Sequence, residues 1–300
     1  MASKHGDETP QVPRQFTFST LTGSFVLGPD SAEEIAEICR TGGYAGIEAC
    51  VPLVAGADRD QRARLATVFK DQSLEIRSFH LPFTDRIAND IASLYECERL
   101  AAVECMRRWI DIALSTGASV GIIHPTTRKD IDLAVEGFNR IWDPLRRSLR
   151  TLGAHCSERG FQLAVENLPG HGVERLGSRP EHFERMRDEL PDDSIGFCLD
   201  TGHALLCEPH NPLAFMDAMG SRLIAFHLAD NAGDRDSHLA PGHGRFPWRT
   251  LAEKLSHSGF IGPLCIETPP FAPGPPYATP DWTAMLEQAR SLLGVTPGVG

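Results

Sequence analysis

Six short apolar runs in this 300-residue sequence each end on a side chain that can hold a cation or move a proton. The endings read Phe79-His80-Leu81-Pro82, Ile123-His124-Pro125, Val165-Glu166-Asn167, Leu199-Asp200-Thr201-Gly202-His203, Phe226-His227-Leu228 and Ile266-Glu267-Thr268. A lone histidine or glutamate at such a place is usually a hydrogen-bonded core residue. Several carboxylates and imidazoles brought together without a cation would carry large desolvation and repulsion costs. A divalent metal removes both, because its charge keeps the carboxylates ionised and it takes neutral imidazoles as ligands. Mixed nitrogen and oxygen donors suit Zn²⁺, Mn²⁺, Co²⁺ or Fe²⁺ better than Ca²⁺, with Mg²⁺ also a candidate. No CxxC pair points to a structural zinc. Further polar residues follow the seventh run: Asp230-Asn231, Asp236-Ser237-His238 and Pro241-Gly242-His243-Gly244. Alone these read as a polar loop; beside the other candidates, the Asp-x-His pair can chelate a metal or bind substrate hydroxyls.

These side chains need a frame that brings distant stretches together. Strand-like runs are expected at 16–20, 46–50, 75–81, 120–124, 162–167, 195–200, 223–228 and 263–268. Helical patterns lie between them, at 31–41, 58–71, 90–116, 131–159, 179–189, 212–219, 247–256 and 281–293. Ser31 with Glu34 has the spacing of a capping box. Eight strand–helix units in about 300 residues predict an α/β protein, a single-domain (β/α)8 barrel, whose strand carboxyl ends converge on one mouth. The side-chain period of two supports this. Two residues before each polar ending stand Ser78, Ile122, Ala164, Cys198, Ala225 and Cys265, sized for a packed interior. The intervening Phe79, Ile123, Val165, Leu199, Phe226 and Ile266 suit packing against outer helices. The domain is expected over 15–294, flanked by a flexible tail at 1–14 and another at 295–300.

Composition narrows the function. Lys+Arg 29 against Asp+Glu 40 gives a net charge of −11, unlike a surface built for nucleic acid or anionic lipid. No apolar run approaches the roughly 18 residues of a membrane helix, and no secretory signal precedes the first strand. The eight scattered cysteines read as reduced core residues of a cytoplasmic protein.

The ordered set of strand-end residues resembles the xylose-isomerase-like TIM-barrel superfamily, over roughly residues 16 to 290. That group includes sugar isomerases, ketose 3-epimerases, inosose and dehydroshikimate dehydratases, and type IV apurinic endonucleases. In the isomerase and epimerase branch the resemblance implies one divalent ion held by Glu166, Asp200, His227 and Glu267. Glu166 and Glu267 would then move the substrate's proton as general base and acid. His203 would touch a substrate oxygen, and Glu48, in Gly-Ile-Glu-Ala, matches a glutamate common at the end of strand two. In the endonuclease branch it implies three zinc ions: one on His80, His124 and Glu166, one on Glu166, Asp200, His227 and Glu267, and one on His203, Asp236 and His238. The sequence departs from that branch in three places. His80-Leu81-Pro82-Phe83 lacks the branch's tyrosine hydroxyl. Asp236-Ser237-His238-Leu239 lacks its arginine. Cys50-Val51-Pro52-Leu53 replaces the loop that wedges DNA.

The expected function is therefore a metal-dependent isomerase or epimerase of a small sugar, keto-sugar or polyol, acting through an enediolate stabilised by the cation. The alternatives are a multi-zinc phosphodiesterase on abasic DNA, a dehydratase sharing the enediolate, and a degenerate barrel that only binds. One ion is expected, and up to three are allowed. The partner is a small carbohydrate, with nucleic acid disfavoured and a homo-oligomer compatible. Glu48, Phe83, Arg245 and Trp248 are further candidates for substrate contact, as is His171 on the Asn167–Gly172 loop.

Overall fold

The structure is a computed structural model that describes residues 15–22, 27–84, 89–170, 172–190, 194–269 and 281–295. The expected tail at 1–14 lies outside the described residues, as do His171 and all of the expected tail at 295–300 except Val295. Eight parallel strands close into a barrel in sequence order. They are β1 (Phe16–Ser19), β2 (Gly46–Cys50), β3 (Glu75–His80), β4 (Val120–Ile123), β5 (Gln162–Glu166), β6 (Ile195–Asp200), β7 (Leu223–Leu228) and β8 (Leu264–Ile266). Closure is made by β1, where Phe18 is paired with Ile47 on one side and Ile266 on the other.

The alternating pattern sorts the side chains into two apolar layers. Phe79, Ile123, Val165, Leu199, Phe226 and Ile266 point outward into the main core under the helices. Val120, Ile122, Ala164, Cys198 and Ala225 form a separate cluster inside the barrel. This inner cluster is the dry floor on which the polar residues stand. Apart from β7, which runs one residue past His227, the ladders that carry the polar endings stop at or just before them, so that Leu81, His124, Asn167 and Glu267 already belong to the loops above.

The helices are α1 (Ala32–Gly42), α2 (Val51–Val54), α3 (Arg59–Asp71), α4 (Glu96–Ser115), α5 (Leu133–Glu136), α6 (Phe138–Ser157), α7 (Pro180–Glu189), α8 (Thr201–Cys207), α9 (Ala214–Met219), α10 (Trp248–Ser258) and α11 (Trp282–Leu292). Three expectations differ. The helix expected at 131–159 breaks into α5 and α6 at Gly137, whose φ of 81° an L side chain rarely adopts. The helix expected from 90 begins at Glu96, because the carboxylate of Asp90 instead accepts from Thr126 Oγ1 at 3.0 Å and the Thr127 amide at 3.3 Å. Ser31 does not form the expected box with α1; its hydroxyl donates back to the Gly28 carbonyl at 2.6 Å. All eight cysteines are free thiols, but Cys97 on α4 is exposed, and Cys105 and Cys207 are only half-buried.

Candidate metal centre

The ligand candidates stand at the carboxyl ends of the strands because each is the last or next residue of an inward-facing row. Glu166 ends β5, Asp200 ends β6, His227 is the fifth of six residues in β7, and Glu267 follows β8. One donor atom from each of these four lies within 4.8 Å of the others. Nδ1 of His227 is 3.2 Å from Oε1 of Glu166 and 2.9 Å from Oε2 of Glu267. Asp200 divides its oxygens: Oδ1 caps α8 by accepting from the His203 amide at 2.6 Å, and Oδ2 is buried without a hydrogen bond. Two further groups flank this one. His80, His124 and Glu166 bring donor atoms within 4.8 Å of one another, and so do His203, Asp236 and His238.

The histidines are held in fixed tautomers by what lies behind them. Nδ1 of His80 donates to the Leu81 carbonyl at 3.0 Å, Nδ1 of His203 to the Asn167 carbonyl at 2.9 Å, and Nδ1 of His238 to the Glu267 carbonyl at 2.9 Å. Each ring then presents Nε2 to the site. For His227 the order reverses: Nε2 donates to Oε2 of Glu48 at 3.1 Å, leaving Nδ1 for the centre. Fixing the far nitrogen in this way is how metal-binding histidines are oriented.

The consequence is a set of acceptors facing acceptors. Nε2 of His80 lies 3.4 Å from Oε2 of Glu166, which Nε2 of His124, whose far nitrogen no such bond among the described residues fixes, approaches to 3.1 Å. Nε2 of His203 and of His238 lie 3.2 and 3.4 Å from Oδ2 of Asp236. A lone pair cannot rest against a carboxylate unless a proton or a cation lies between them. With protons alone, burial would lower the His203 and His238 imidazoles, but Asp200 and Asp236 outweigh it for His203, and Asp236 lifts His238 to about 10. Burial opposes ionisation of Glu166 as well, yet His227 and His124 hold its carboxyl well below the ordinary range. Burial pushes Asp200 up to about 7. A divalent cation would supply the same positive charge with the imidazoles neutral, so the donor set and the orphaned Oδ2 of Asp200 fit such an ion.

The centre opens into a cavity of about 380 Å³ whose lining includes His80, Phe83, His124, Glu166, His203, Asp236, His238 and Glu267. Phe83 lies with its ring centroid 4.8 Å from that of His80 and 5.1 Å from that of His124. Three sequence candidates are placed elsewhere. Glu48 is fully buried behind His227 and also accepts from Ser78 Oγ at 2.8 Å. Trp248 is buried and donates Nε1 to Asp230 at 2.7 Å, so it fastens a loop and does not line the cavity. Arg245 is exposed outside the lining, its amide bonded to the Asn231 carbonyl at 2.9 Å. Asn167 and Asp230 had no assigned role in the sequence. Asn167 clamps β6 to β5, accepting from the Asp200 amide at 2.7 Å and donating to its carbonyl at 2.9 Å. Asp230 accepts from the amides of Asn231, Gly242 and Phe246 and from Trp248, which shapes the loop that carries Asp236 and His238. The Asp-Asn pair at 230–231 was visible in the sequence; the partners it gathers were not.

Residues 36–290 match the family described as xylose isomerase-like TIM barrel. The chain belongs to that family. It is 33% identical over 189 residues to the uncharacterized protein y4fM of Sinorhizobium fredii, a match covering 63% of this chain and 60% of that protein. It is also 25% identical over 229 residues to a probable endonuclease 4 of Solibacter usitatus, covering 68% and 73% of the two chains. Among solved structures, a D-tagatose 3-epimerase-like protein superposes with a TM-score of 0.76 at 25% identity, covering 94% of this chain and 97% of the other. No helix among the described residues is long and apolar enough to cross a membrane.

Proposed function

We propose that this protein is a divalent-metal-dependent isomerase or epimerase of a small sugar, keto-sugar or polyol. The observation that carries the reading is the pair Glu166 and Glu267, whose carboxylates flank one imidazole edge, 3.2 and 2.9 Å from Nδ1 of His227, and line the same cavity. At about 380 Å³ that cavity is at the small end of ligand pockets, with room for a monosaccharide. The likeness to a D-tagatose 3-epimerase-like structure supports the same class.

Glu166, Asp200, His227 and Glu267 would hold the cation. When bound, it supplies Lewis acidity that makes a carbon-bound proton beside a carbonyl removable and keeps the carboxylates ionised. Glu166 takes that proton from one face of the substrate carbon, and Glu267 returns a proton from the other. His203, fixed by the Asn167 carbonyl and capped onto Asp200, offers Nε2 to a substrate oxygen. Phe83 covers an apolar sugar face, and the floor below keeps water out. In a D₂O exchange screen, the metal-reconstituted chain is expected to label one carbon-bound position of a keto-sugar or inosose. Glu166→Gln and Glu267→Gln are each expected to lower that rate by about 10²–10⁴. Abasic DNA cleaved while no candidate sugar exchanges would overturn the reading.

A second reading, a multi-ion phosphodiesterase, is favoured by one specific observation: the two flanking groups assemble as closely as the central one. Three ions per chain together with cleavage of abasic DNA would select it; one ion with sugar exchange selects the isomerase.

A further inference from the structure

The four strands that bring Glu166, Asp200, His227 and Glu267 together meet at three joints, and each ladder runs out where the candidate ligands begin. The last pairs are Glu166 with Cys198 between β5 and β6, Asp200 with His227 between β6 and β7, and Leu228 with Ile266 between β7 and β8. Glu166, Asp200 and Glu267 gather three carboxyl groups at these ends. Like charges held that close repel one another, so a spacing that is ready for a cation needs fasteners beyond the ladders.

Two side chains supply them. Asn167 reaches from the end of β5 to the backbone of Asp200: Oδ1 accepts from the amide at 2.7 Å and Nδ2 donates to the carbonyl at 2.9 Å. The main chain adds the Asn167 amide on the Cys198 carbonyl at a longer 3.4 Å. Thr201 does the same at the next joint. Its Oγ1 accepts from the Ala229 amide at 3.0 Å and donates to the Ala229 carbonyl at 2.6 Å, with the His227 carbonyl at 3.3 Å. The third joint is closed by the main chain, because the Glu267 amide donates to the Leu228 carbonyl at 3.1 Å. Asn167 and Thr201 are fully buried, and each uses a donor and an acceptor on the strand end next to it.

We propose that Asn167 and Thr201 are positioning residues of the metal centre: as side-chain rungs added above the ladders, they set the spacing of Glu166, Asp200 and His227 before a cation binds. The inference rests on the proposed function for the cation and not for the sugar. A buried polar group that only fills space can give way to an apolar one of the same shape at little cost once its partners are satisfied elsewhere. Here the exchange frees one ligand-bearing strand end from the next.

The test measures the affinity of the full chain for its first equivalent of Zn²⁺ or Co²⁺ by competition with a chromophoric chelator. The visible spectrum of the Co²⁺ form, which reports ligand number and geometry, is recorded in parallel. Thr201→Val keeps the shape of the side chain and removes its bonds. It is expected to weaken either ion about 10- to 100-fold and to alter the Co²⁺ spectrum. Thr201→Ser keeps the hydroxyl and should hold the affinity within about threefold of the parent. Thr116→Val is the control for a merely structural loss: it removes a buried hydroxyl that donates to the Ala113 carbonyl at 2.7 Å at the carboxyl end of α4, and it should lower the melting temperature while leaving the affinity within about threefold. Asn167→Ser, which shortens the other rung, carries the same expectation as Thr201→Val and keeps the test valid if that variant does not fold. Unchanged affinity and spectrum in either folded variant, a loss that Thr201→Ser shares, or an equal loss in Thr116→Val overturns the inference. A parent chain that binds neither ion overturns the cation reading together with it. Ions bound as expected, with no sugar exchanged, sustain the inference and overturn the isomerase reading instead.

Discussion

Glu48 stands directly behind His227, its Oε2 accepting the Nε2 proton at 3.1 Å while Nδ1 of the same ring meets Glu166 and Glu267. The family resemblance marks Glu48 as a candidate for substrate contact, but β2 places it beneath the centre, where Ser19 and Ser78 also donate to it. Its carboxylate fixes the tautomer of His227 and strengthens it as a donor. Glu48→Gln keeps the shape and removes the charge. Metal affinity, measured by competition with a chromophoric chelator, is expected to fall about 10- to 100-fold, with the fold retained by circular dichroism. An unchanged affinity would show that Glu48 is only packing.

The loop carrying Asp236 and His238 depends on Asp230. A Cβ at Gly244 would come within 2.2 Å of Asp230 Oδ1, so Gly244→Ala must displace either the loop or the carboxylate. Trp248→Phe removes one buried donor, worth about 1 kcal/mol. Gly244→Ala is therefore expected to lower the melting temperature more than Trp248→Phe, and both should weaken any ion held by Asp236 and His238. The check is a melting curve paired with elemental analysis.

The two flanking groups can be separated from the centre by removing one ligand at a time. His238→Ala leaves Glu166, Asp200, His227 and Glu267 intact. If a single cation at those four carries the exchange chemistry, the variant's rate against a keto-sugar stays within about tenfold of the parent. A loss near the 10²–10⁴ scale of a general base or acid would place His238 in the reacting machinery. Stripping the metal with a chelator should also lower the melting point, since an ion at 100 times its Kd contributes about 2.7 kcal/mol.

Stability in mild acid should depend on His182. This residue is in the first turn of α7, buried against Phe138 of α6, and its Nδ1 accepts from the Gly177 amide at 3.2 Å. Burial, helped by the charge of Arg179, lowers its pKa to about 4. A histidine with a lowered folded-state pKa binds its proton more readily in the unfolded chain. Stability is therefore full above about pH 6.5 and falls as the pH drops toward 4, by up to about 3 kcal/mol. In denaturant titrations at pH 7 and pH 5, His182→Gln should show a smaller loss than the parent; an equal loss would remove His182 from the account.

Much of this could be read from the sequence, and the reasons are physical. A parallel strand flanked by helices leaves a strong trace: an apolar run with period two and a polar residue where it opens to solvent. The rows through Ser78, Ala164, Cys198 and Ala225 gave away the interior, and the strand ends gave away which polar side chains meet at the mouth. What the sequence did not reveal depends on contacts between segments far apart in the chain. Trp248 looked like a residue that could cover a sugar, because its partner Asp230 lies 18 positions away. Glu48 looked like a rim residue, because the strand pattern does not say that His227, 179 positions later, turns its ring toward it. The break at Gly137 was hidden for the opposite reason, since amphipathic residues on both sides of a glycine read as one helix.

Cys198 belongs to the apolar layer below the ligands, and Cys265 sits near His227 and Glu48. Burial pushes the Cys198 thiol up to about 12 and raises that of Cys265 well above its usual range. Both sulfurs therefore stay protonated under ordinary conditions and behave like slightly enlarged alanines. Apart from Glu48, which reaches down from His227 to Ser19 and Ser78, the ionic groups of the centre stand above this neutral layer. The charges at the mouth therefore stand against a neutral sulfur layer, and what enters from above meets oxygen and nitrogen first.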